Sequence, residues 1–118
     1  MFYSIMQVRK AGGFMKITMI SSNELDSWIE QKECMLVDVR KPSQYRESHI
    51  NGAVNMPYEK IDTMLSRLPK NIPVIFYCER GSSSLDVCKK ACRLGIYGIT
   101  VVGGINGYKG KYRVKNRS

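Results

Sequence analysis

The sequence predicts an α/β protein: a central, mostly parallel five-stranded sheet with helices on both faces. Three observations lead there. Short apolar runs of strand type at 17–20, 35–39, 53–55, 74–77 and 99–102 alternate with stretches whose apolar residues recur three and four positions apart. Such alternation is the pattern of parallel strands joined by helical crossovers. Two of the runs, Met35-Leu36-Val37-Asp38-Val39 and Val74-Ile75-Phe76-Tyr77, are apolar at nearly every position, which suits central strands covered on both sides. The composition agrees, because 118 residues with 43% hydrophobic and 25% charged content are enough for one packed core.

Residues 1–15 read poorly as part of that core. Ala11-Gly12-Gly13 is a break, Arg9-Lys10 interrupt the apolar character that a secretory signal needs, and Met15 marks either an alternative start or the beginning of the folded part. They are assigned as an N-terminal extension, with disorder as one reading. A domain over 16–110 follows, then a basic tail over 111–118. Ser21-Ser22-Asn23 supply N-cap types before a helix over 23–32, whose Leu25, Trp28 and Ile29 share a face. Trp28 is expected to anchor the core. Pro42-Ser43 opens a short helix over 43–47, and Asn51-Gly52 is a turn. Tyr58, Ile61, Met64, Leu65 and Leu68 carry helical spacing before Pro69 to Pro73 punctuate the chain. Leu85, Val87, Cys88, Ala91 and Cys92 stripe a helix over 84–94, which Gly95 closes. Gly103-Gly104 permits a tight turn into a last short helix around 105–109.

Cys78 stands where the run 74–77 meets the Gly/Ser loop Glu79-Arg80-Gly81-Ser82-Ser83 and the helix behind it. In a parallel α/β protein, ligands bind outside the carboxyl ends of the strands. A cysteine there faces loop N–H groups and the positive end of a helix, both of which favour a thiolate, the nucleophilic form of the side chain. Cys78 is therefore read as the reactive centre, against the alternative of a buried cysteine capping a strand.

Other function classes find less support. Cys34, Cys78, Cys88 and Cys92 form no CxxC pair, and reduced thiols in the cytoplasm are expected. His49, the single histidine, is remote in sequence from Cys88 and Cys92, so no metal site is expected. No apolar run approaches membrane-spanning length. Part of the net charge of +9 lies in alternating Lys109, Lys111, Arg113, Lys115 and Arg117, read as a solvated tail or exposed edge. Without a zinc finger, an RNP-type motif or a helix-turn-helix, nucleic acid is not an expected partner. A positive field does raise the local concentration of small anions.

Three ordered blocks resemble a single rhodanese-like (sulfurtransferase) domain, over about Ile17 to Tyr108. Leu36-Val37-Asp38-Val39-Arg40, then Gln44-Tyr45, then Ser48-His49-Ile50-Asn51-Gly52-Ala53-Val54-Asn55-Met56-Pro57 is similar to the family's "DVR … GHIxGAxNIP" block, with Ser48 replacing the usual glycine. The strand-cysteine-loop-helix of 74–94 and the Val102-Gly103-Gly104 turn fall where the family has them, and Tyr108 stands where many members have tryptophan. The resemblance implies a rhodanese-like fold and an enzyme that carries sulfane sulfur as a persulfide on Cys78. It implies a small anionic sulfur donor such as thiosulfate or a persulfide, a thiol or cyanide acceptor, and no metal or organic cofactor. A protein sulfur acceptor is a further partner in this reading. Backbone N–H groups of Glu79, Arg80, Gly81, Ser82 and Ser83 would hold the bound sulfur, with Gly81 allowing a backbone geometry other residues resist.

Asp38 and Arg40 are expected to lock loops by ion pairing, and His49 to serve the turn rather than act as a base. Ser83 occupies the sixth loop position, where thiosulfate-using members often carry a cation. Here the cation is Arg80; turned inward it would clamp an anion, turned outward it would be solvated, and the inward placement is expected. Glu79 is expected to face away from the sulfur. A cysteine-dependent phosphatase or arsenate reductase would need an arginine where Ser84 stands. A persulfide carrier or a non-catalytic rhodanese-like interaction module is the alternative to an enzyme.

Overall fold

Strands apolar on both faces need cover on both sides, and the chain supplies it. A computed structural model describes residues 4–10, 12–31 and 33–116. Its strands are β1 (Ser4–Lys10), β2 (Gly13–Ser21), β3 (Met35–Asp38), β4 (Ser48–Ile50), β5 (Val54–Asn55), β6 (Val74–Tyr77), β7 (Gly98–Val102) and β8 (Arg113–Lys115). The α-helices are α1 (Leu25–Gln31), α2 (Pro42–Glu47) and α3 (Ser82–Arg93). The main sheet runs β1-β2-β7-β6-β3-β5, with β2, β7, β6, β3 and β5 mutually parallel. These are the five strands that the sequence predicts.

Side-chain alternation along β6 divides the core in two. Val74, Phe76 and Cys78 face Val87, Cys88 and Ala91 of α3, with Ile61 and Leu65 closing that side. Ile75 and Tyr77 face the opposite cluster of Leu25, Trp28, Ile99, Val101 and Tyr108. Trp28 is buried, as its place on the helix face predicts. Helix α3 lies close against β7 at Gly98, where an added Cβ would press on the sulfurs of Cys88 and Cys92.

Four expectations change. The 1–15 segment is not simply an extension: β1 pairs antiparallel with β2 in register from Ser4↔Met19 to Lys10↔Gly13, with Gly12 at φ 82° in the turn and Gly13 at φ 144° opening β2. A Gly-Gly break is as good a hairpin turn as a boundary, and only the pairing tells them apart. Residues 1–3 and 11 lie outside the described residues. The stretch over 58–67 forms two 3₁₀ helices, Tyr58–Thr63 and Leu65–Arg67, closed by bonds such as Met64 N to Ile61 O at 2.9 Å. Spacing by three satisfies the tighter helix as well, and the flanking prolines keep the segment short. The last helix is a 3₁₀ turn, Ile105–Gly107.

Residues 111–116 of the assigned tail belong to the fold, with β8 antiparallel to β4 as an exposed edge rather than a free tail; residues 117–118 lie outside the described residues. Tyr112 donates to Glu30 at 2.6 Å, Lys111 pairs with the same carboxylate at 2.9 Å, and the Arg113 guanidinium donates to Ile105 O at 2.7 Å. Its cations alternate with residues that pair and pack, so a charge pattern alone does not report a free tail. Among the described residues no helix is long and apolar enough to cross a membrane.

Candidate active site at the end of β6

Cys78 follows the last residue of β6 and is 5% exposed. Its Sγ accepts the Gly81 N–H at 3.0 Å and the Ser84 N–H at 3.4 Å. Both donors exist because the chain doubles back: Gly81 caps α3 at φ 115°, a left-handed conformation that turns its N–H inward. The Ser84 hydroxyl lies 3.6 Å from Sγ, donates to Gly81 O at 3.1 Å and meets Thr100 Oγ1 at 2.9 Å. Of the expected 79–83 donors, the structure thus brings Gly81 onto the sulfur, joined by Ser84 from the first turn of α3. Ser84 and Thr100 complete the cradle, and Thr100 left a signal, a buried hydroxyl within an apolar strand.

The loop is braced from β7. Ile105 N donates to Cys78 O at 2.9 Å and Asn106 N to Glu79 O at 3.0 Å, while Gly104 at φ 57° passes so close that a Cβ would strike both carbonyls.

Asp38 and Arg40 form the expected lock. Arg40 donates to both Asp38 oxygens, through Nε at 3.1 Å and Nη2 at 2.8 Å, and to Ser48 O at 2.5 Å. That last bond uses the backbone carbonyl, so a serine serves in place of the family's glycine. Burial would favour a neutral Arg40, but the Asp38 carboxylate outweighs it and raises the guanidinium above its ordinary range. Glu79 lines the cavity with its side chain half-exposed, and its carboxylate accepts from Arg40 Nη1 at 3.3 Å. His49 lies in β4, stacked on Tyr45 with ring centroids 4.0 Å apart and Nδ1 2.8 Å from Tyr45 O. It is not among the residues lining the cavity above Cys78.

That cavity has a volume of about 550 Å³. Val39, Arg40, Lys41, Pro42, Gln44, Pro57, Tyr58, Glu59 and Cys78 line it, the 57–59 stretch running beside Val39, whose carbonyl accepts the Tyr58 N–H at 3.0 Å. Glu79, Arg80, Ser82 and Ser83 complete it. Arg80 borders the cavity yet is exposed, and among the described residues its side chain has no ion pair. The sequence does not place 41–44 and 57–59 at the cavity, because nothing in local spacing brings these two stretches together. Tyr58 is held by its hydroxyl donating to Asp86 of α3 at 2.6 Å. Elsewhere, the Cys88 thiol is buried and pushed up in pKa, first by its hydrogen bond to Cys92 and then by desolvation. All four cysteines are free, and among the described residues no cluster of three or more His, Cys, Asp or Glu could hold a metal ion.

A parallel sheet of this order, with a cysteine cradled at the head of its central strand, defines a class before any relative is consulted. The family description "Rhodanese-like domain" matches residues 21–111, and the chain belongs to that family. YtwF of Bacillus subtilis (strain 168) is 32% identical over 103 residues, 86% of this chain and 100% of that protein. The thiosulfate sulfurtransferase GlpE of Coxiella burnetii is 27% identical over 90 residues, 74% of this chain and 84% of its own. A rhodanese-like domain protein from Staphylococcus aureus has a similar fold, with TM-score 0.74 at 26% identity over 82% of this chain and 96% of that one. Sulfurtransferase activity is supported at the level of the family.

Proposed function

We propose that the protein moves sulfane sulfur through a persulfide on Cys78. The observation that carries this reading is the Cys78 sulfur itself, in a residue that lines an open cavity, with two backbone N–H groups on it. The thiolate attacks the outer sulfur of thiosulfate; a Cys78 S–S bond forms, the donor S–S bond breaks, and sulfite leaves with the electron pair. A persulfide donor reacts likewise, leaving as its thiolate. The persulfide anion carries one charge, which the N–H groups of Gly81 and Ser84 are placed to share. An acceptor such as cyanide or a thiol then takes the outer sulfur and returns the Cys78 thiolate. The uncharged Ser83 gives thiosulfate one cation fewer, which favours a persulfide-fed carrier as the second reading. The proposal includes a cytoplasmic setting, where free thiols persist.

Intact mass tests it. Wild-type protein treated with thiosulfate or polysulfide should gain about 32 Da, reversibly with cyanide or dithiothreitol, as expected for one sulfane sulfur. Cys78→Ala should gain nothing. A gain with polysulfide alone would favour the carrier reading, and no gain with any donor would remove the persulfide mechanism.

A further inference from the structure

We propose that Thr100 of β7 is a positioning residue for sulfur transfer: its hydroxyl holds the Ser84 hydroxyl where it can take up the negative charge that develops on Cys78 as the persulfide bond breaks. Resting on the persulfide reading, this role adds a residue outside the Cys78 loop that sets the rate of the second half-reaction.

Thr100 is the one polar side chain of the strand Gly98–Val102 and is 2% exposed. A hydroxyl buried there is costly unless it is hydrogen-bonded, and its partner is Ser84 Oγ at 2.9 Å. The direction of that bond follows from the hydrogens available. Ser84 has one on its side chain, which it donates to Gly81 O at 3.1 Å. A serine oxygen accepts two further bonds. The Cys78 thiol supplies one, with 3.6 Å between sulfur and oxygen, and Thr100 donates the other. Branching at Cβ leaves a threonine few rotamers on a packed strand, whereas the unbranched Ser84 side chain would turn more freely. A donor on the Ser84 oxygen also polarises its own O–H and strengthens the bond that this O–H makes.

Transfer redirects the Ser84 hydrogen. In the persulfide, Sγ of Cys78 carries no proton and is bonded to the outer sulfur. When cyanide attacks that outer sulfur, a C–S bond forms, the S–S bond breaks, and the electron pair stays on Sγ. Gly81 N and Ser84 N already donate to Sγ, at 3.0 and 3.4 Å. The Ser84 hydroxyl becomes a third donor by turning its hydrogen from Gly81 O to the sulfur. Gly81 O is not left unsatisfied, because it also accepts the Leu85 N–H at 3.2 Å. The departing thiolate gains from that turn and the neutral inner sulfur does not, so the new bond acts on the rate. Thr100 keeps the Ser84 oxygen in place throughout.

Protein is charged with polysulfide to the full gain of one sulfur, freed of excess donor and mixed with cyanide, and loss of the added mass is followed in a single turnover. Thr100→Val keeps the branched shape without the hydroxyl and should slow discharge about three- to tenfold, the size of one hydrogen bond. Thr100→Ser keeps the hydroxyl without the methyl and should recover the rate, although it removes packing; a role in packing alone predicts the reverse order. Ser84→Ala should slow discharge at least as much as Thr100→Val, and adding Thr100→Val to it should change nothing more, because Thr100 acts through Ser84. Three results would each overturn the positioning role while leaving the persulfide intact: Thr100→Val as fast as wild type, Thr100→Ser no faster than Thr100→Val, or the two slowings multiplying in the double variant. Failure of wild-type Cys78 to take up sulfur from polysulfide would overturn both.

Discussion

Arg40 concentrates more structural consequence than any other side chain at the site. It is almost fully buried, yet its guanidinium joins β3, the Ser48 carbonyl before β4 and the Cys78 loop through Glu79. Removing it would strand Asp38, which has no exposure at all. Leaving one partner of a buried ion pair unpaired costs about 3–5 kcal/mol. Arg40→Met is therefore expected to lose at least about 3 kcal/mol in urea unfolding, and Asp38→Asn with Arg40→Met to recover part of it. The sequence made this pair legible because Asp38 and Arg40 are two residues apart at a strand end. The partner of Glu79 was not legible, because the cation that holds its carboxylate stands 39 residues upstream in sequence.

Among the elements, the turn after β7 decides how the Cys78 loop is shaped. Gly104 has a backbone conformation closed to L side chains and lies against the carbonyls of Cys78 and Glu79. Its neighbours Ile105 and Asn106 donate to those same carbonyls. Gly104→Ala is expected to destabilise the fold by about 2–4 kcal/mol, from left-handed strain and steric displacement together. The charging rate of Cys78 should fall with it, since the loop that aims Gly81 N–H must move. Stopped-flow charging beside urea unfolding checks both. A rate unchanged in the destabilised variant would show that the brace does not shape the cradle. The Gly-Gly pair is visible in the sequence as a turn, but a turn signal does not say what the turn presses against. The same limit explains the 58–67 segment, where one apolar spacing serves two helix types and hydrogen bonding between prolines selects the narrower one, with three residues per turn.

For the whole molecule, closure depends on residues that charge patterning set aside. Tyr108 donates to Asp26 at 2.5 Å and accepts the Tyr112 N–H at 2.8 Å, tying the C-terminal segment to α1. Burial and then the Asp26 bond push its phenol up to about 12, against about 10 for a free tyrosine. A raised folded value means that the protonated phenol stabilises the fold fully below pH about 10. That contribution is lost as pH rises toward 12. Tyr108→Phe is expected to cost about 1–2 kcal/mol at neutral pH. The difference between wild type and variant should shrink across pH 10 to 12 in chemical unfolding. A constant difference across that window would mean that the phenol's proton plays no part in the closure.

The amino-acid sequence by itself determined the five parallel strands, their order of occurrence and the place of Cys78, because these follow from short-range periodicity and from a strand-loop-helix seam contained in about twenty consecutive residues. The tertiary structure alone decided that β1 adds an antiparallel edge, that β8 closes on β4, and that Ser84 joins Gly81 on the sulfur. It also decided which charges remain unpaired around the cavity. Each of these depends on a partner far away in the chain, and pairing at a distance leaves no period in the residues that make it.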